Sequence, residues 1–175
     1  MDSLLVVWYL LIVLIILVVS LFVIIPSLRG ASFETSNLKA VAAMIRLSRI
    51  KKGERVAELG SGDGKVAIAF GRTGAFVDGY EINPILVLWS RWQIKKAGLD
   101  KNVRVYWKSF WNIDLKNYDI VSMFQIHYIM KKLERKLKKE LRGDCRIISN
   151  KWEFPNLQYR KRKNNIYLYV LNKQS

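Results

Sequence analysis

Residues Leu4 to Ile25 form 22 consecutive positions without a charge, dominated by Leu, Val and Ile. At about 1.5 Å per helical residue, such a run crosses a hydrocarbon core of roughly 30 Å. The pattern predicts one transmembrane helix over 4–25, with Trp8 and Tyr9 suited to one interface and Pro26 and Arg29 closing the other. A cleaved signal peptide fits less well: the apolar run is too long, and Asp2 stands where a Lys or Arg cluster would precede it. Arg29, Lys39, Arg46, Arg49, Lys51 and Lys52 all follow the segment, which predicts that the remainder faces the cytoplasm.

Residues 26–36 read as a linker, rich in Ser, Gly and Thr from 30 onward, and Ser36 can cap a helix carrying Leu38, Val41, Ala42, Ile45 and Leu47. From Arg55, short apolar runs alternate with amphipathic stretches, which predicts an α/β fold: a largely parallel, Rossmann-like sheet covered by helices on both faces. Strands are expected near 55–59, 75–81, 103–107, 118–124, 145–152 and 166–171, and helices over 64–72, 84–97 and about 127–141. The last helix carries Ile129, Met130, Leu133, Leu137 and Leu141 on one face and mostly Lys and Arg on the other. Short links after the third strand and before a closing hairpin near 157–171 leave little room for inserted substrate-binding structure. One domain, 37–175, accounts for everything after the linker.

Charge adds a direction to this picture. Lys and Arg number 30 against 14 Asp and Glu, a net +16, and every cation lies at Arg29 or later. A field of that sign attracts lipid headgroups, nucleic acid or acidic protein surfaces without saying which is the substrate. The runs Lys131–Lys139 and Arg160–Lys163 fit anionic lipid or an acidic substrate, and equally fit a solvated helix face and hairpin. Cys145 is the only cysteine, so an intramolecular disulfide is excluded, and no Cys/His cluster offers a zinc site; no metal is expected.

Candidate chemistry starts where Arg55-Val56-Ala57-Glu58-Leu59 runs into Gly60-Ser61-Gly62-Asp63-Gly64 and then into a helix. Glycines at a strand-to-helix turn let the backbone bend sharply and admit a ligand without a Cβ in the way. Such a turn alone also serves as a plain loop. Glu81, however, closes the next strand 21 positions after Gly60, where a carboxylate can accept hydrogen bonds from both ribose hydroxyls of a nucleoside. Lys65 occupies the sixth position of the turn, unlike G-x-G-x-x-G, and the P-loop pattern is absent. An adenosyl ligand without phosphates, S-adenosylmethionine, fits best.

The segments ELGSGDGK, GYEINPILVLWSR and WKSFWNIDLKNYDIVSMF, with the basic helix ending KLKKEL, resemble a class I methyltransferase family that includes membrane-anchored mitochondrial and small archaeal protein lysine methyltransferases. The resemblance spans about 37–171 and implies a seven-stranded methyltransferase sheet, S-adenosylmethionine, and transfer to lysine amines of proteins. By that resemblance Glu58, Gly60, Gly62 and Asp63, with Ser61 and Gly64 in the same loop, line the methionine end of the cofactor. Glu81 holds the ribose with Ile82 and Asn83 nearby, and Ser109 and Phe110 lie beside the adenine. Ser109 departs from the Asp often found there, but a hydroxyl still accepts a hydrogen bond from the adenine amino group.

Methyl transfer to a neutral amine needs alignment, exclusion of water and a route for the proton. Gln125, His127 and Tyr128 after the fourth strand and Glu153 after the fifth are the acceptor-site candidates; Glu153 can orient an ammonium or take its proton, and His127 offers an imidazole suited to proton transfer. A lone His at a helix start also serves as a surface or capping residue. Base-amine methyltransferases commonly carry an Asn- or Asp-Pro-Pro-aromatic segment where this chain reads Met123-Phe124-Gln125-Ile126, which argues against nucleic acid. Among the tryptophans, Trp111 and Trp152 are candidates for stacking or amine caging, whereas Trp89, Trp92 and Trp107 are expected to pack in the core or at an interface. Three readings follow: a lysine methyltransferase working on membrane-associated protein, a lipid or small-molecule methyltransferase, and a silent module using its basic face for membrane or nucleic-acid contact.

Overall fold

The computed structural model describes residues 3–28 and 37–171. Helix α1 (Ser3–Leu28) is continuous for 26 residues and runs through Pro26, three residues past the predicted end. A proline in the last turn removes one amide donor without stopping the helix at once. The side chains from Leu4 to Leu17 are all exposed. Among the residues whose side chains are described, which in α1 run only from Ser3 to Leu17 with Ser20, no helix is long and apolar enough to cross a membrane. Arg29, the remaining linker positions and the expected cap Ser36 lie outside the described residues.

Helix α2 (Leu38–Ser48) is capped by Asn37, whose side chain accepts from the Ala40 amide at 2.8 Å. It buries Val41, Ala43, Met44 and Ser48, while Leu38 is 75% exposed and Ala42 also faces outward. The apolar stripe is therefore rotated from the expected one: the helix packs on the sheet through its smaller residues and Met44. Its C-terminal carbonyls are satisfied by Arg146, which donates to Ser48 O at 2.7 Å and Arg49 O at 3.0 Å and pairs with Glu54 at 2.7 Å.

The remaining elements alternate: β1 (Arg55–Leu59), α3 (Lys65–Gly71), β2 (Phe76–Glu81), α4 (Pro84–Lys96), β3 (Val103–Trp107), β4 (Ile120–Met123), α5 (Met130–Glu140), β5 (Arg146–Asn150), β6 (Lys161–Lys163) and β7 (Ile166–Val170). They form one seven-stranded sheet in the order β3-β2-β1-β4-β5-β7-β6. The first five in that order are parallel, and β7 is antiparallel to both β5 and β6. The strand β6 has no apolar residue and is fully exposed, so alternation could not reveal it; it exists as the partner of β7.

Strands expected over 118–124 and 145–152 are shorter. Lys151 adopts a left-handed φ of 78°, which ends β5, and the predicted helix over 127–141 divides into a 3-10 turn at His127–Ile129 and α5. Two apolar layers result. One joins α2, α3 and α4 to one face of the sheet through Met44, Val56, Phe70, Val87 and Ile94. The other joins α5 to the opposite face through Met130, Leu133, Leu137 and Leu141. On that second face only a single 3-10 turn, Phe110–Asn112, and no α-helix connects β3 to β4; the rings of Tyr80 and Tyr106 stack there at 5.6 Å, and Tyr80 shares a 2.7 Å hydrogen bond with Tyr118.

Candidate functional site

Five parallel strands bring their carboxyl ends to one edge, the place where open α/β sheets bind ligands. Leu59 pairs with Tyr80 and Met123, Glu81 with Trp107, and Met123 with Ser149. The segments that follow these residues, namely 60–64, 82–83, 108–110, 124–128 and 151–153, therefore stand side by side.

The glycine turn folds over the end of β2. The amides of Gly60 and Ser61 both donate to Tyr80 O, at 2.8 and 3.1 Å, and the Gly62 amide donates to Glu81 Oε2 at 2.9 Å. Glu81 is buried, and its Oε1 accepts from the Ile82 and Asn83 amides, each at 2.8 Å. Three amides thus hold the carboxylate against the loop, two on Oε1 and one on Oε2, leaving the second lone pair of Oε2 for a further donor. Gly60, Gly62 and Gly64 all have positive φ, between 53° and 82°. Their surroundings differ: a Cβ on Gly62 would meet nothing within 4 Å, whereas one on Gly64 would stand 2.8 Å from Ser90 Cβ. Gly62 faces open space, and Gly64 lets α3 pack on α4.

Glu58 lies beneath the turn, 1% exposed, paired in register with Ser122 on β4. Burial pushes its carboxyl up to about 8. Glu58 Oε2, Ser122 Oγ and Ser61 Oγ are buried without a hydrogen-bond partner among the described residues. Three orphaned oxygens around one glycine turn are unusual where buried polar groups are normally satisfied, and they fit a ligand bearing polar donors. The ammonium and hydroxyls of an adenosyl-amino-acid cofactor are donors of that kind.

Several expected site residues also have structural duties. Asp63 Oδ1 accepts from the Lys65 amide at 3.1 Å, and its carboxylate pairs with the Lys65 ammonium at 3.4 Å. Asn83 caps α4 by accepting from the Ile85 and Leu86 amides, and Ile82 O receives the Trp107 indole N–H at 3.0 Å. Ser109 caps the turn Phe110–Asn112, and Phe110, half-buried, packs against Trp111 at 4.9 Å.

The four acceptor candidates separate. Gln125 is buried, donates from Nε2 to Leu59 O at 2.6 Å, and crowds Gly60, where a Cβ would stand 2.5 Å away. It braces the β1–β4 junction. His127 is exposed, its ring 5.2 Å from and edge-on to Trp152, so the loops after β4 and β5 meet. Tyr128 is 66% exposed. Glu153 is exposed on the same edge and bonds the Tyr167 hydroxyl, which burial and this carboxylate hold above the ordinary phenol range.

Two functional neighbours escaped the sequence reading. Ser122 is a lone hydroxyl in the apolar run Ile120–Met123, a signal that was present; the Trp107 tether to Ile82 left none. Trp89, Trp92 and Trp107, expected in the core or at an interface, are all exposed, which removes the core half of that expectation.

A Rossmann-like sheet with a reversed seventh strand and a glycine turn facing an acid defines a fold of the methyltransferase type. A solved RNA methyltransferase from Salinibacter ruber, in complex with S-adenosyl-L-homocysteine, shares this fold with a TM-score of 0.78, covering 81% of this chain and 96% of that one. Its identity is 22%, so the likeness is one of fold. The family model of the ANTKMT methyltransferase domain matches residues 58–161. The human ATP synthase C-subunit lysine N-methyltransferase is 32% identical over 133 residues, 75% of this chain and 57% of that protein. The mouse adenine nucleotide translocase lysine N-methyltransferase is 32% identical over 124 residues, 70% of this chain and 54% of that protein. The chain belongs to the ANTKMT methyltransferase domain family, and it spans a little over half the length of these relatives.

Proposed function

We propose that the protein is an S-adenosylmethionine-dependent protein-lysine N-methyltransferase that works at a membrane surface. The observation that carries the reading is the open Gly62 hydrogen-bonded to Glu81 above Glu58, whose Oε2 has no hydrogen-bond partner among the described residues. The names of the two relatives supply the acceptor class, a lysine of a protein.

S-adenosylmethionine supplies an electrophilic methyl group on a sulfonium. Glu58, with Ser61 and Ser122, would receive the methionine ammonium; Glu81 would receive a ribose hydroxyl on the remaining site of Oε2; and Ile82, Ser109 and Phe110 would flank the adenine. Glu153 orients the incoming ammonium or takes its proton, and His127 passes that proton to solvent. Gln125 keeps β1 and β4 in register beneath the transfer site and touches no reacting atom.

The anchor belongs to the same proposal. Helix α1 measures roughly 39 Å at about 1.5 Å per residue, and its apolar side chains from Leu4 to Leu17 have nothing among the described residues to pack against. A single-pass span with the domain on the cytoplasmic side, where basic residues lie, follows from the charge asymmetry. Between Leu28 and Asn37 the chain can reach at most about 30 Å, which confines the domain near the bilayer and raises its effective concentration toward substrates there.

Calorimetry with S-adenosylmethionine tests the cofactor: binding is expected in the native chain, absent in Gly62→Arg and weakened in Glu81→Ala. Folded protein that binds nothing leaves a silent module. Isotopically labelled cofactor incubated with membranes and cytosol then tests the acceptor. Label appearing only in organic-soluble lipid refutes the lysine reading.

A further inference from the structure

Helix α4 has two apolar faces where the fold needs one. Val87, Ser90 and Ile94 are buried against the sheet. Ile85, Leu88, Trp89 and Trp92, at spacing i, i+3, i+4 and i+7, are exposed on the other side, with Leu88 at 67%. The Trp89 and Trp92 rings stand 5.0 Å apart. Lys96 Nζ lies 5.1 Å over the Trp92 ring, and Arg91 and Lys95 border the stripe. Trp107, 65% exposed, ends the neighbouring strand and reaches Ile82, three residues before Ile85. Contiguous exposed apolar surface rimmed by charge marks an interaction site, and nothing within the described residues covers this one.

We propose that this face of α4 is a membrane-docking surface that seats the domain on anionic phospholipid. The chemistry selects that occupant. Tryptophan with Leu and Ile suits the boundary between headgroups and acyl chains, and lysine and arginine on the rim suit acidic headgroups. The helix begins at Pro84, capped by Asn83 two residues beyond Glu81, so docking brings the cofactor edge of the sheet beside the bilayer and aims the active site at lysines close to the surface. The proposal rests on the membrane-anchored reading and adds to it an orientation that a tether alone cannot set.

The test uses the full chain reconstituted in phosphatidylcholine–phosphatidylglycerol vesicles. Cys145 is fully buried and its thiol is pushed up to about 12, so a new surface cysteine is the reactive one. Leu88→Cys carrying an environment-sensitive fluorophore is compared with Lys139→Cys, which lies on α5 across the sheet. The expected result is a blue shift at 88 and loss of emission when the lipids carry shallow nitroxides, with neither change at 139. A chain that co-floats with vesicles while position 88 stays in water overturns the docking surface and leaves the anchor standing. A chain that does not co-float overturns both. Shielding of 88 in detergent together with chain-to-chain cross-linking through it assigns the face to a second copy and overturns the proposal. As a second readout, Trp89→Glu with Trp92→Glu is expected to lose methylation of membrane-embedded acceptors while keeping calorimetric cofactor binding; unchanged methylation also overturns it.

Discussion

Replacing Glu58 by Gln isolates the most strained electrostatic feature of the site. A carboxyl raised from 4.5 to about 8 holds its proton more tightly in the folded chain than in the unfolded one. The folded state therefore loses stability as pH climbs from 4.5 to about 8, at up to about 1.4 kcal/mol per pH unit. Between pH 5 and 7.5 this amounts to at most roughly 3 kcal/mol, less what relaxation and water penetration recover. For a domain of this size it corresponds to a fall in Tm on the order of 10 °C. Glu58→Gln has the same shape and no titration, so thermal melts of both proteins in the same detergent should diverge with rising pH, the variant declining less. Every other titrating group is common to the pair and cancels. Parallel slopes would refute the reasoning and mean that Glu58 is already solvated. Cofactor binding should reverse the penalty, because an ammonium beside the carboxylate favours its ionised form. Calorimetry near pH 6.5 in buffers of different ionisation enthalpy should then show release of close to one proton by the native protein and none by Glu58→Gln.

The remaining predictions concern how the turn is held. Gly64→Ala forces a Cβ to 2.8 Å from Ser90 Cβ and 3.3 Å from its Cα at a φ of 82°, and should cost roughly 2–3 kcal/mol in denaturant melts. Gly53→Ala has a similar φ of 85° and open space, so about 1 kcal/mol is expected, and equal losses would mean that the α3–α4 approach is not tight. Gln125→Glu removes the donor to Leu59 O and should cost about 1–3 kcal/mol with weaker cofactor binding; Gln125→Ala should behave alike. If both melt like the native chain, water replaces the amide and Gln125 braces nothing.

What the sequence determined was local. Gly60–Gly64 require backbone freedom, so the turn was legible from glycine alone, and α5 was legible because Met130, Leu133 and Leu137 repeat at helical spacing. Glu81 could be matched to the turn because the length of one strand–helix–strand unit is narrowly constrained. The contacts that decide chemistry were made across the sheet, between residues far apart in the chain. Register set Ser122 beside Glu58, 64 positions away, and Gln125 beneath Leu59 O, 66 positions away. The strand β6 and the outward tryptophans of α4 obeyed no period that distinguishes core from surface: both faces of that helix are apolar, and only packing against the sheet chose which one was buried. Periodicity reports which elements form, whereas burial is a property of what each element meets, and that is decided when the chain closes on itself.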